Sequence, residues 1–490
     1  MSDQTLHETT SLCRVCRNGV PARVVAREGQ VFMHKTCAEH GAQSVKLSAS
    51  ADWYVRTRAI APVESPPPRL SRAVEHGCPF DCGACPSHAQ KIRMPIVTLT
   101  SACNLDCPIC YVRNKNEGAY HMDRAGFERI LAHLKADHGD SLDLINLTGG
   151  EPTQHPDFLW FLERARDAGI RRVSFCTNGL RLARDEAFVE RIAALGGRVA
   201  LSFDSFESEA DFALQGAHLL EVKHRALALL EKHRVHTTLI PVMTLGVNDH
   251  EIGRIIDLGL RAPNIRHLEV HTITYTGQGG TTFDPARAGR IDLFTVLQRI
   301  EVQTQGLLTV DDWVPSPCAH PLCYQIAYLL MDPEGGPPIP FTRFMPRETL
   351  YACLADRLYL EPSPRLDAAL TAAIDHLWSA PPEAIDPALA QRGMRILRGL
   401  LAELFPEGGR LTPEAALAVS ERATKAIYVH SHMDEETFDT ERVRQCCDAD
   451  VYADGSSIPV CAHSVLYRDK EAEFMVTPNA WGARSGGAKP

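Results

Sequence analysis

MPIVTLTSACNLDCPICY, residues 94–111, decides the fold. Its first seven residues form a short β-rich run, and Cys103, Cys107 and Cys110 follow at C-x3-C-x2-C spacing. Behind them Phe127, Ile130, Leu131 and Leu134 recur at helical period. The same strand-then-helix order returns as LDLINLTG with FLWFLERARDAG, RRVSFCTNG with DEAFVERIAAL, and RVALSFDS with LLEVKHRALALLEKH. HTTLIPVMT with DHEIGRIIDLGL, and IRHLEVHTITY, complete the series. Six such steps of about 25 to 35 residues predict an α/β fold, a partial (βα)6 TIM-type barrel of parallel strands. Barrels of this kind gather their chemistry at the C-terminal strand ends, which is where the cysteine triplet begins.

The other strand ends carry matching groups. The second runs into Gly149, Gly150, Glu151 and Pro152, where two glycines allow close backbone approach and Glu151 offers an acceptor for an ammonium group. The third ends in Thr177 and Asn178, and the fourth in Ser202, Asp204 and Ser205, hydroxyl and carboxylate partners suited to a ribose. Tyr111 directly follows the last cysteine of the triplet. Three thiolates hold three corners of a four-iron cluster and leave one iron open. Cys78, Cys82 and Cys85 repeat the spacing 25 residues earlier, but before the first strand, so position favours the later triplet as the reactive one.

SACNLDCPICY, LTGGEP and LSFDS together resemble the cluster motif, the amino-group loop and the ribose strand of radical S-adenosylmethionine enzymes. The resemblance spans residues 94 to 275. It implies that Cys103, Cys107 and Cys110 hold a [4Fe-4S] cluster whose open iron chelates S-adenosylmethionine, and that one electron then yields a 5'-deoxyadenosyl radical. Tyr111, Gly149, Gly150, Glu151, Pro152, Thr177, Asn178, Ser202 and Asp204 become cofactor-binding residues on this resemblance. A flavodoxin or ferredoxin is the expected electron donor.

Toward the N-terminus, Cys13-x2-Cys16 and Cys37-x2-His40 are two knuckles on one tetrahedral metal, zinc or iron, joined by a hairpin in ARVVAREGQVFMHK. Four prolines between Pro62 and Arg69 mark a stiff linker. Toward the C-terminus, PCAHPLCY brings Cys318 and Cys323 together, and QCCDADVYADGSSIPVCAH brings Cys446, Cys447 and Cys461. One of the adjacent pair is expected to complete Cys78, Cys82 and Cys85, because successive side chains point apart. The other would join Cys318, Cys323 and Cys461 in a further cluster, making three [4Fe-4S] clusters. Cys176 and Cys353 read as inert buried thiols. Glu269, His271 and Tyr275 lie on the sixth strand, where alternation lets only some face the barrel.

These features divide the chain into a metal module (1–60), a linker with the first triplet (61–93) and the barrel (94–310). A C-terminal helical and auxiliary cluster region (311–475) and a flexible tail (476–490) follow. Helices are expected over 286–306 and 366–428, and a loop-rich segment over 313–355. A net charge of -10 without dense basic runs gives no nucleic-acid footprint. No apolar run reaches the roughly 20 residues of a membrane span, and the polar start lacks signal-peptide character. Sixteen cysteines suit metal ligation in the reducing cytoplasm, or at a membrane surface if the substrate is lipid.

Over nearly its full length the chain is similar to the tetraether lipid synthase family, whose relatives have been described as pterin-modifying methyltransferases. That similarity implies hydrogen abstraction from an unactivated C–H bond and carbon–carbon bond formation on a small-molecule, lipid-like substrate. Methylation with a folate- or pterin-type one-carbon donor is the alternative enzyme reading. An iron–sulfur electron-transfer or carrier protein is the alternative of another class, but a carrier has no need of a series of cofactor-binding strand ends.

Overall fold

The computed structural model describes residues 3–111, 119–277, 279, 289–379, 381, 383, 385–406 and 411–468. The expected flexible tail and residues 286–288 of an expected helix lie outside them.

Four antiparallel strands, β1 (Gln4–Leu12), β2 (Gly19–Arg27), β3 (Gln30–Cys37) and β4 (Gly41–Ser48), form a small sheet in sequence order. The expected hairpin is its β2–β3 turn, and the two knuckles cap the β1–β2 and β3–β4 connections. Lys35, buried, fastens this module to the rest of the chain. Its ammonium donates to Ser11 Oγ at 3.1 Å and to the carbonyls of Glu435 and Glu436 at 2.8 Å each.

The large sheet contains the six expected strands: β5 (Met94–Thr100), β6 (Leu144–Gly149), β7 (Arg172–Thr177), β8 (Arg198–Ser202), β9 (Thr237–Ile240) and, after the two-residue β10 (Val242–Met243), β11 (Ile265–Thr272). The connecting helices Arg124–His138, Phe158–Asp167, Glu186–Ala194, Leu220–Lys232 and Ile252–Arg261 pack on its outer face. Val97, Leu99, Ile145, Leu147, Val173 and Phe175 bury that face, each stabilising it by about 1.5–3 kcal/mol. The alternate side chains therefore line the lumen.

Two further strands, drawn from the C-terminal region, extend the parallel set. β12 (Val314–Pro315), β13 (Tyr324–Leu330) and β14 (Ile339–Pro340) come first in the chain, then β15 (Thr424–His430), β16 (Asp448–Val451) and β17 (Ser457–Pro459). β15 pairs parallel with β11, and β16 pairs parallel with β5, so both continue the parallel run of the six barrel strands. β13 is antiparallel to β15. The helix expectation for 366–428 is corrected over 424–428, where β15 begins, and the loop expectation for 313–355 over 324–330. Both stretches are strands. A second core, formed by Tyr328, Leu330 and Ala426 with Leu370, Leu397 and Leu400, seats the C-terminal helices Pro364–Ser379 and Pro387–Leu404 on β13 and β15. Among the described residues no helix is long and apolar enough to cross a membrane.

Candidate active site

The triplet loop leaves β5 and is clasped by the loop after β6. Gly150 N donates to Thr100 O and Glu151 N to Ala102 O, both at 2.8 Å. Gly149 has φ +140, and a Cβ on either glycine would overlap the backbone of Thr100 to Ala102. The glycines thus serve contact between two loops of the chain, a tighter role than the ligand approach read from the sequence.

Cys103, Cys107 and Cys110 share this loop, each partly exposed. Burial, with Glu151 and Cys110 adding to it, pushes the Cys103 thiol up to about 11. Burial also raises Cys107 strongly, with Cys110 and Cys103 contributing. Three thiols that repel one another as thiolates need a cation between them, and this donor set fits the irons of a four-iron cluster.

Glu151 is buried. Its Oε1 accepts from Thr153 Oγ1 (2.6 Å), Thr153 N (3.2 Å) and Thr177 Oγ1 (2.9 Å), while Oε2 accepts from Asn178 N (2.8 Å). It ties β6 to β7, and only Oε2 has capacity left. Asn178 Nδ2 reaches Asn104 Oδ1 at 2.7 Å, joining the β7 end to the triplet loop. Two residues escaped the sequence reading. Lys223, 2% exposed, donates to Asn178 O at 2.8 Å and Ser202 O at 2.7 Å. Gln215 accepts from Cys107 Sγ at 3.3 Å and donates through Nε2 to Ser202 Oγ and Asp204 Oδ2. Burial pulls Lys223 down, with Asp204 opposing it. A lysine in line with Ala226 and Leu230 on a helix's buried face was the available signal.

The lumen below this loop is polar. Leu268 and Val270 point outward, so Glu269 and His271 point inward, as does His430 of β15. Tyr275 instead lies under the Arg290 guanidinium. The Tyr111 ring stacks on His432, with centroids 5.9 Å apart, and so links the triplet loop to this wall. Cys176, read from the sequence as buried, is partly exposed on the inner face of β7 and accepts from Asn146 Nδ2 at 3.5 Å. Cys353 is buried.

The remaining cysteines fall into groups. Cys16 and Cys37 Sγ are 3.8 Å apart, and His40 Nδ1 lies 3.7 Å from Cys13 Sγ and 3.5 Å from Cys37 Sγ. A tetrahedral zinc with its usual bond lengths needs edges of about 3.8 Å and about 3.6 Å, so the four residues fit one ion. Cys78 and Cys82 share an apolar cluster with Cys446 and Cys461, whereas Cys447 packs with Cys318 and Cys323. Hydrogen bonds tie the segment just after the first triplet to the loop carrying Cys446: Ala89 N donates to Arg444 O at 2.7 Å, and the His88 side chain meets Cys446 O through Nε2 at 2.8 Å. Cys323 Sγ accepts from the Arg442 guanidinium at 3.3 Å.

Fold and site define a radical S-adenosylmethionine enzyme with an N-terminal zinc ribbon. Residues 97–259 match the Radical SAM superfamily model and residues 5–49 the HMPTM N-terminal zinc ribbon domain. Along 97% of its length the chain is 26% identical to a 7,8-dihydro-6-hydroxymethylpterin dimethyltransferase of Methanocaldococcus jannaschii, covering 96% of that protein. It is also 30% identical over 191 residues to the GTP 3',8-cyclase of Chlorobaculum tepidum, covering 37% of this chain and 56% of that one. Among solved structures, SuiB of Streptococcus suis bound to S-adenosylmethionine matches 44% of this chain and 48% of its own at 17% identity, with a TM-score of 0.35.

Proposed function

We propose that this enzyme forms a carbon–carbon bond on a polar, heteroatom-bearing small molecule seated in the barrel lumen, and that a reduced pterin is the first class to test. The observation that carries the reading is the inward wall of Glu269, His271, His430, Tyr324 and Asp448 below the triplet loop. Polar groups at such a density suit hydrogen-bonding partners better than a lipid chain. The name of the full-length methanogen relative supports the pterin.

Cys103, Cys107 and Cys110 would hold the reactive [4Fe-4S] cluster. Tyr111, the Gly149–Pro152 loop, Thr177, Asn178, Ser202 and Asp204 would hold S-adenosylmethionine. Together these groups supply a 5'-deoxyadenosyl radical when bound. Glu151, Lys223 and Gln215 fix the loops that position them. Cys78, Cys82 and Cys85 with Cys446 would hold a second cluster, and Cys318, Cys323, Cys447 and Cys461 a third. A cytoplasmic flavodoxin or ferredoxin is the donor we assign.

The test is anaerobic reconstitution with a reductant and S-adenosylmethionine, adding either a 7,8-dihydropterin or phospholipid vesicles. Pterin-stimulated release of 5'-deoxyadenosine, with a mass gain in the pterin, is the expected result. Stimulation by phospholipid and none by the pterin overturns the substrate class.

A further inference from the structure

We infer that His271, His430 and His432 form a binding site for a divalent transition-metal ion within the barrel, distinct from the ribbon metal and adjoining Cys461, whose Sγ lies 3.7 Å from His432 Nδ1. One nitrogen from each imidazole lies within 4.8 Å of the others. The ring centroids are 5.3 Å (His271 to His430), 5.0 Å (His271 to His432) and 4.0 Å (His430 to His432) apart. Imidazole donors on one tetrahedral ion need about 3.4 Å between nitrogens, so a small ring rotation closes the site.

Two facts set this cluster apart from ordinary core histidines. Buried polar atoms normally find a hydrogen-bond partner, but His430 Nδ1 and His271 Nε2 make no directed hydrogen bond. Both instead face one carboxylate oxygen, Glu269 Oε1, at 3.8 and 3.2 Å. Among the described residues, those two imidazoles are the ion partners of Glu269. A cation between the rings would give the nitrogens an electron-pair acceptor and the carboxylate a counter-charge.

The surroundings hold the rings in place. Tyr324 stacks on His430 with centroids 3.7 Å apart and fixes its plane, and Tyr111 stacks on His432. His430 is buried, whereas His271 and His432 are partly exposed to the lumen. Three protein nitrogens with one open side match metal centres that keep a position for water or a substrate heteroatom. Imidazole sets suit zinc, iron, nickel and copper.

The experiment titrates the cluster-loaded holoenzyme anaerobically with Zn2+, Co2+ or Mn2+, each alone, against a metal-indicator dye. At least one ion should bind with two equivalents per chain. His40→Ala should remove one, and His430→Ala and His271→Gln the other, with iron and sulfide content unchanged. His271→Gln carries the test if His430→Ala does not fold. A wild-type protein that takes up one equivalent of every ion, lost only in His40→Ala, overturns the site. So does a His432→Ala variant that loses cluster iron and sulfide instead of the second equivalent, because that histidine would then be a cluster ligand.

Discussion

The Tyr324 hydroxyl donates a hydrogen bond to the Asp448 carboxylate, and with it β13 near one end of the large sheet touches β16 near the other. No backbone ladder spans that gap among the described residues, so a side-chain pair joins the sheet's two ends across the lumen. Tyr324→Phe keeps the ring that stacks on His430 and removes only the hydroxyl. It should cost about 1–3 kcal/mol, because it leaves a buried carboxylate short of a donor. Thermal unfolding under anaerobic conditions measures this. A change within a few tenths of a kcal/mol would mean that the pair does not hold the barrel closed.

Gly150→Ala should separate cluster assembly from folding of the ribbon. The new Cβ would overlap Ala102 O, and backbone must move because no flexible side chain is there to give way. The loop bearing Cys103, Cys107 and Cys110 is therefore displaced. We expect a loss of about four iron atoms per chain and of 5'-deoxyadenosine formation, while one zinc per chain stays in the ribbon. Metal analysis beside a cleavage assay decides it, and a variant with full iron and full cleavage would refute the clasp.

Cys107→Ala and Cys82→Ala should differ in kind. Removing Cys107 takes a thiol from the loop clasped by Gly150 and Glu151, and should abolish 5'-deoxyadenosine. Removing Cys82, which lies buried against Tyr467 before the first barrel strand, should leave some cleavage uncoupled from product. Equal loss in both, with the reactive cluster intact by spectroscopy, would contradict this division of roles.

The six βα steps are legible because the hydrophobic period switches from two to 3.6 at each step. YQIAYLL and TKAIYVH are not, since runs buried on both faces lack alternation and resemble buried helix segments. The helix Pro413–Ala423 also runs directly into β15, with no turn residue between them. For the site, strand-end loops carry their chemistry in consecutive residues, which a sequence displays. Lys223 and Gln215 come from helices whose facing is set by packing. His430 and His432 meet His271 only because β15 pairs with β11, a contact across about 160 residues that no local pattern announces.

Glu421 gives the pH prediction. It receives Arg198 at 2.7 Å and faces His236 at 3.2 Å and Arg172 at 3.7 Å, forming a buried charge cluster with inward-facing strand residues Arg172 and Arg198. Burial alone would raise this carboxyl, but His236 and Arg198 outweigh burial and hold it well below the usual carboxylate range. A carboxyl depressed in the folded state binds fewer protons there than in the unfolded chain. Its stabilisation is therefore full above the unfolded value of about 4.5 and drains away as pH falls below it. Glu421→Gln should cost about 3 kcal/mol at pH 7, because it takes the carboxylate partner from Arg198 in a buried place, whereas Arg172 keeps Asp143 and Glu361. The gap between the two proteins should narrow as pH falls from 5 to 3. Chemical denaturation of both at several pH values tests the sign, and a gap that widens on acidification would show that the carboxylate is not the group being read.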